Sequence, residues 1–198
     1  AINMHEVGRL SRIVNPLMTP VTHELMPSSA APGQMSVRAI HEARHLLGLL
    51  PRRRLFLLGS PIAQSQSPLI HNTGFQVLGL PHVYERFETS TVDERLVQLL
   101  HAPDFGGASV TIPLKLSIMQ LLDSISPEAQ VIGAVNTIVP RRDSDTGQVA
   151  LHGENTDWHA IYDRARAAHV RSDGLVALVI GAGGSARAAL YAMHRLGA

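Results

Sequence analysis

The sequence predicts an α/β protein, a mostly parallel sheet with flanking helices. Three observations carry that prediction. From Leu55 onward, short apolar runs alternate with segments whose apolar residues recur at helical spacing. Gly (16) and Pro (12) punctuate the 198 residues without any repeating period, which excludes collagen-like and solenoid chains. The 45% hydrophobic content against 17% charged supplies a core and is too high for a disordered chain.

The elements follow in order. A loop rich in Pro, Thr and Ser leads to Ser36, a plausible helix cap. Behind it Val37, Ile40, Leu46, Leu47 and Leu50 mark one side of a helix that Pro51 should end. Arg52, Arg53 and Arg54 form a basic, solvated joint. LFLLGSP then reads as a buried strand and Pro68–Leu78 as a helix with Pro near its start. HVYERFET is the next strand and Thr91–Leu100 the next helix. GGASVTIP is a strand, and Leu114, Ile118, Leu121 and Leu122 predict a helix at i, i+4, i+7 and i+8. Strand GAVNTIVP, a polar turn over Asp143–Gly147, a short strand at Val149–His152 and a helix from Thr156 to about Ala168 complete this run. GLVALVIGAGGSARAALYAMHRLGA closes the chain as strand, glycine turn and helix. One βα unit cannot cover both faces of a sheet. That ending, with the absence of Met at position 1, predicts a fragment of something longer.

Composition removes several function classes. Lys+Arg is 17 against Asp+Glu 16, a net charge of +1, so no global field draws in nucleic acid or anionic lipid. No basic patch or helix-turn-helix signal supports direct DNA binding. Zero cysteines exclude disulfides, thiolate catalysis and Cys-based zinc sites, in keeping with an intracellular chain. No apolar run reaches the roughly 18 residues that span a membrane, and residues 1–12 lack a signal-peptide core.

Three patterns bear on chemistry. Gly181, Gly183 and Ala186 fit GxGxxA between an apolar run and a helix. There the backbone can approach a pyrophosphate and the helix N-terminus favours its charge. The residue that would read a ribose should fall about 20 residues later, where the chain stops. His41, Glu42 and His45 match HExxH, with the histidines one helical turn apart. Pro51 stands where the extended motif needs a third ligand, so an amphipathic helix is the better reading and no metal site is assigned. The third pattern is dispersed over loops read as following strands: SPIAQSQSPLIHN, ASVTIPLK, GAVNT and GENTDW. Ser65, Ser67, Thr111, Lys115, Asn136 and Asp157 supply hydroxyls, an amide, an ammonium and a carboxylate, which should meet at one sheet edge. Such groups suit a small polyhydroxylated acid, with Lys115 and Asp157 able to manage a proton on one hydroxyl. Singly, each of these residues could equally be a turn or helix cap.

Taken together, GSPIAQSQSPLIHN, VTIPLK, GAVNT, NTDWHA and GAGGSARA resemble the shikimate dehydrogenases, five motifs in order. The resemblance implies that Lys115 and Asp157 are the catalytic pair, and that Ser65, Ser67, Thr111 and Asn136 bind substrate. It also implies that Gly181, Gly183, Gly184 and Ser185 open a truncated NADP-binding Rossmann unit. GRLSRIVNPLMTPVTH followed by AAPGQMS resembles the C-terminal end of type I 3-dehydroquinases. There Arg12 and Gln34 match substrate-binding residues, and Ala30 stands where many members have Ser. The expected domains are a dehydroquinase-like remnant (1–50), a substrate-binding domain (51–172) and the start of the Rossmann unit (173–198).

That fusion occurs in fungal AROM polypeptides and in their regulatory relatives of quinate-repressor type. Three departures stand out: Gln64 replaces a family histidine, Ala160 a family glycine, and His5 a Gly usual in the AROM type. They favour a regulator that senses a shikimate- or quinate-like molecule and acts through a protein partner such as a transcriptional activator, in nucleus or cytoplasm. The alternative is a segment of an active NADP-dependent shikimate dehydrogenase of the AROM type. On either reading the 198 residues alone should bind no cofactor, catalyse no oxidation and hold ligand weakly. NADP belongs to the intact parent.

Overall fold

A computed structural model describes residues 5–15, 17, 21–168 and 176–197. The chain divides into two units, residues 1–54 with 66–84 and residues 55–65 with 85–198.

In the first unit, α1 (Arg9–Val14) and α2 (Val37–Leu46) pack together, and α3 (Ser67–Leu78) packs on α2. Ser36 caps α2 as expected, its Oγ accepting from Ala39 N at 3.1 Å. Only Ile40 of this helix is buried, whereas Leu46 and Leu47 are exposed. The helix also stops before Pro51: the amides of Leu47 and Gly48 bond back to Ala43 O and His45 O and close it. Pro68 sits in the first turn of α3, as expected. From α3, Asn72 holds the start of the following strand, donating to Tyr84 O (2.9 Å) and accepting from Tyr84 N (2.8 Å).

The sheet is built from β1 (Arg54–Gly59), β2 (Val83–Glu88), β3 (Phe105–Val110), β4 (Ser124–Ile125), β5 (Thr137–Arg142) and β6 (Val149–Glu154), in the order β2-β1-β3-β5-β6-β4. It is α/β and mostly parallel, as expected. β5 is the exception, antiparallel to both β3 and β6, while β4 is parallel to β6. The polar turn after β5 explains its pairing with β6, since a six-residue connection returns the chain beside itself. Asp143 closes that turn, accepting from the amides of Asp145 (3.0 Å) and Thr146 (2.7 Å).

The core of the second unit centres on Phe56, Leu58, Leu96, Leu114, Ile118 and Ile138, all nearly or fully buried. The helix expected over 114–122 is only a short 3-10 turn at Ser117–Leu121. Leu114 and Ile118 still bury completely. β4 begins three residues after the turn, so the segment is too short to extend it into an α-helix. α4 (Glu94–Leu100) is capped by Asp93, which accepts from Leu96 N at 2.9 Å. α5 (Pro127–Ile132) lies outside the expected elements, although Ser126 as cap, Pro127 in the first turn and Gly133 beyond the end are ordinary helix signals.

α6 (Asp157–Ala167) and α7 (Gly184–Leu196) pack together around Trp158, whose ring meets Tyr191 edge-on at 5.1 Å. Ala188 and Ala192 are fully buried there. The last expected strand does not form over its described part. Val176–Gly183 has no ladder, and Val176, Leu178 and Ile180 are 85–96% exposed. A strand exists only by pairing, and none of the described strands lies beside it. The expected boundary at 172–173 and the start of that strand lie outside the described residues. Among the described residues no helix is long and apolar enough to cross a membrane.

Candidate active site

Three stretches far apart in sequence meet at one edge of the sheet. Lys115 follows β3, Asn136 immediately precedes β5, and Asp157 follows β6 as the first residue of α6. Asn136 thus departs from the expected placement after a strand. Because β5 runs antiparallel, its beginning lies where β3 and β6 end, and the register pairs Thr137 with both Ser109 and Glu154. Backbone bonds carry this register into the site: Val110 N donates to Asn136 O (2.7 Å), Asn136 N to Glu154 O (3.0 Å) and Val135 N to Lys115 O (2.8 Å).

Lys115 Nζ donates to Asp157 Oδ2 at 2.5 Å, with the side chains 14% and 26% exposed. A charge-assisted bond this sheltered from water is strong and directional. The second carboxylate oxygen, Oδ1, accepts from Asn136 Nδ2 at 2.8 Å. Asn136 Oδ1 in turn accepts from Thr156 N and Thr137 Oγ1, both at 2.9 Å. Asp157 also sits at the N-terminus of an 11-residue helix, where a carboxylate is stabilised by unpaired amides. The carboxylate therefore has fixed partners on both oxygens.

Two residues outside the expected set also contribute. Asn155 is 2% exposed and bridges the site, donating to Ala134 O (2.9 Å) and accepting from Asp157 N (3.1 Å). Thr156 joins the Asn136 network through its amide and its hydroxyl. An Asn and a Thr between a strand and a helix signal local turn bonding, which would have singled out Asn155. Next to them, burial pushes the Glu154 carboxyl up, but hydrogen bonds from Ser126 and His152 and the charges of His152 and Arg141 outweigh it and hold the group below its ordinary range.

Of the other expected site residues, Ser65 and Thr111 lie in this same unit, after β1 and after β3. Ser65 O accepts from Arg86, and Thr111 N donates to Leu58 O at 2.8 Å. Ser67 begins α3 in the first unit. Gly181 and Gly183 form an exposed turn ahead of α7. Ser185, expected to hold cofactor, accepts from Lys115 Nζ at 3.2 Å. In the first unit Glu42 is paired with Arg38 at 2.9 Å, and His41 and His45 donate from Nδ1 to Leu78 O and Leu50 O. Among the described residues no three His, Asp or Glu side chains gather as metal ligands.

Residues 57–138 match the shikimate dehydrogenase substrate binding domain, and residues 1–51 match type I 3-dehydroquinase. The chain thus joins the end of a type I 3-dehydroquinase to a shikimate dehydrogenase substrate-binding domain. Its relatives narrow the class further. It is similar over its whole length to the pentafunctional AROM polypeptides of Malassezia globosa (72% identity) and Mycosarcoma maydis (55%), and over 98% of its length to that of Schizosaccharomyces pombe (54%). It spans 12% of the length of each of them. Among solved structures, it resembles dehydroquinate dehydratase and shikimate dehydrogenase from S. pombe, with 53% identity and a TM-score of 0.80, covering 98% of this chain and 37% of that one. Shikimate 5-dehydrogenase from Thermus thermophilus in complex with NADP(H) and shikimate matches at 38% identity and a TM-score of 0.59, covering 72% of this chain and 52% of that one.

These relatives overturn the regulatory reading. A match at 72% identity across the whole chain is to a pentafunctional polypeptide, and the relatives named above are all of that kind. The transcriptional partner and the nuclear location expected with a repressor lose their support.

Proposed function

We propose that the chain supplies the substrate-binding half of an NADP-dependent shikimate dehydrogenase of the AROM type, acting on 3-dehydroshikimate and shikimate. The observation that supports this most is the meeting of Lys115, Asp157 and Asn136 from three separate loops at one sheet edge. In the reducing direction a ketone becomes an alcohol: its carbon gains a hydride and its oxygen a proton. Lys115 is the proton donor to that oxygen, and in the reverse direction its amine recovers the proton. Asp157 remains the carboxylate that orients Lys115, and Asn136 fixes the carboxylate. Ser65 and Thr111, in the same unit, provide hydroxyls suited to the ring hydroxyls and carboxylate of such a substrate.

NADP, when bound, supplies or accepts the hydride. The residues present fit its pyrophosphate. Gly181 has φ +123°, which a side chain would oppose, and a Cβ at Gly183 would meet nothing within 4 Å, so the turn offers open backbone at the head of a 13-residue helix.

The test uses the complete gene product, assayed for NADP-dependent shikimate oxidation. General acid–base catalysis contributes about 10²–10⁴-fold, so Lys115→Ala should lower turnover by about that factor while shikimate still binds in calorimetry. Ligand binding without turnover in the unsubstituted protein would refute the proposal.

A further inference from the structure

The glycine turn is expected to serve the cofactor, yet its last two residues press on the lysine. Gly184 is buried, and a Cβ built there would lie 3.1 Å from Lys115 Cδ, 3.2 Å from Lys115 Cβ and 3.2 Å from Ala134 Cβ. A methyl group there would have to push the lysine stem or Ala134 aside by a few tenths of an ångström, and glycine lets the first turn of α7 close onto the lysine stem without that shift. One residue further, Ser185 Oγ lies 3.2 Å from Nζ. The ammonium has three N–H donors. One goes to Asp157 and a second to Ser185, which leaves the third for an oxygen outside the protein.

We infer that Ser185 is a positioning residue for Lys115, and that the Gly184–Ser185 corner belongs to the acid–base site as well as to the nucleotide turn. A lysine has four rotatable side-chain bonds and loses much rotamer freedom when held. Asp157 alone fixes the distance of Nζ from the sheet edge but leaves the ammonium free to swing about that one contact. Packing on the stem and a second acceptor at the tip remove the swing and aim the remaining N–H. This assignment rests on the function proposed above and deepens it: the turn that receives the cofactor also sets the proton donor.

The sequence makes a direct test possible, because Lys115 is its only lysine. Amine-directed labelling of this chain, followed by mass spectrometry of the Lys115 peptide, reports on that side chain without any cofactor or turnover. Losing a hydrogen bond to a charged partner is worth about tenfold. Ser185→Ala should therefore raise the Lys115 labelling rate several-fold, and Ser185→Thr, which keeps the hydroxyl, should return it toward the unsubstituted value. An unchanged rate in Ser185→Ala would overturn the inference.

Kinetics of the complete gene product give the second reading. Ser185→Ala should lower kcat about tenfold with the KM for NADP nearly unchanged, and Ser185→Thr should recover most of the loss. A raised KM for NADP at unchanged kcat would make Ser185 a cofactor residue only and refute the positioning role. If the unsubstituted gene product shows no shikimate oxidation, the proposed function fails, and the labelling rates alone decide the contact.

Discussion

The HExxH helix of the first unit and the Lys115 cluster of the second are opposite kinds of motif. His41, Glu42 and His45 are adjacent in sequence and match a known catalytic spacing, yet Glu42 is occupied by Arg38 and both histidines donate to backbone carbonyls. Lys115, Asn136, Asp157 and Ser185 are spread over 71 positions, and their side-chain atoms lie within hydrogen-bonding distance of one another in succession. Spacing along a helix guarantees only that side chains share a face. A site needs groups from several elements, and only the fold can assemble those.

That contrast can be broken at its supports, starting where the effect is greatest. Leu114 is fully buried beside Lys115 and anchors the chain after β3. Leu114→Ala should cost about 2–5 kcal/mol in denaturant unfolding. It should also raise the labelling rate of Lys115, because the loop carrying the lysine loses its anchor. Retained stability would show that the cluster does not depend on this core.

Asn155 comes next. Asn155→Ala leaves Ala134 O and Asp157 N without their buried partner, at a cost of about 1–3 kcal/mol. Asn155→Asp should recover only part of this, because a carboxylate accepts from the Asp157 amide but cannot donate to Ala134 O. Equal stability of the two variants, read by thermal unfolding, would remove Asn155 from the support of the site.

The smallest effect tests the first unit. Burial lowers the His82 pKa, and the charges of Arg53, His41 and His45 lower it further. The folded chain therefore binds fewer protons at His82 than the unfolded one. The stabilising effect is present above the ordinary histidine value of about 6.5 and is lost as pH falls below it through the lowered folded-state value. Tm should decline over that range, and less so in His82→Gln. An identical pH dependence in the two proteins would show that His82 binds protons alike in the folded and unfolded chain.

Much of the fold was legible because its signals are local. Ser36 as a cap, Pro68 in a first turn, the buried run of β1 and the polar turn at 143–147 each act within a few residues. The errors have tertiary causes. Leu114 and Ile118 have helical spacing but bury through a 3-10 turn, because β4 follows at once. Val176, Leu178 and Ile180 read as a strand, yet no described strand pairs with them. The candidate site was legible as a set of residue types and motifs, but not as an arrangement. Asn136 appeared to follow a strand when it precedes one, and the contact of Ser185 with Lys115 had no local signal.

By itself, then, the sequence determined the α/β class, most element positions and the residues able to move a proton, since propensity, capping and side-chain chemistry are properties of short segments. The direction of β5, the bridge made by Asn155 and the contact of Ser185 with Lys115 were decided only in three dimensions. Each depends on which distant segments the sheet and the α6–α7 packing bring together, and no local pattern encodes that.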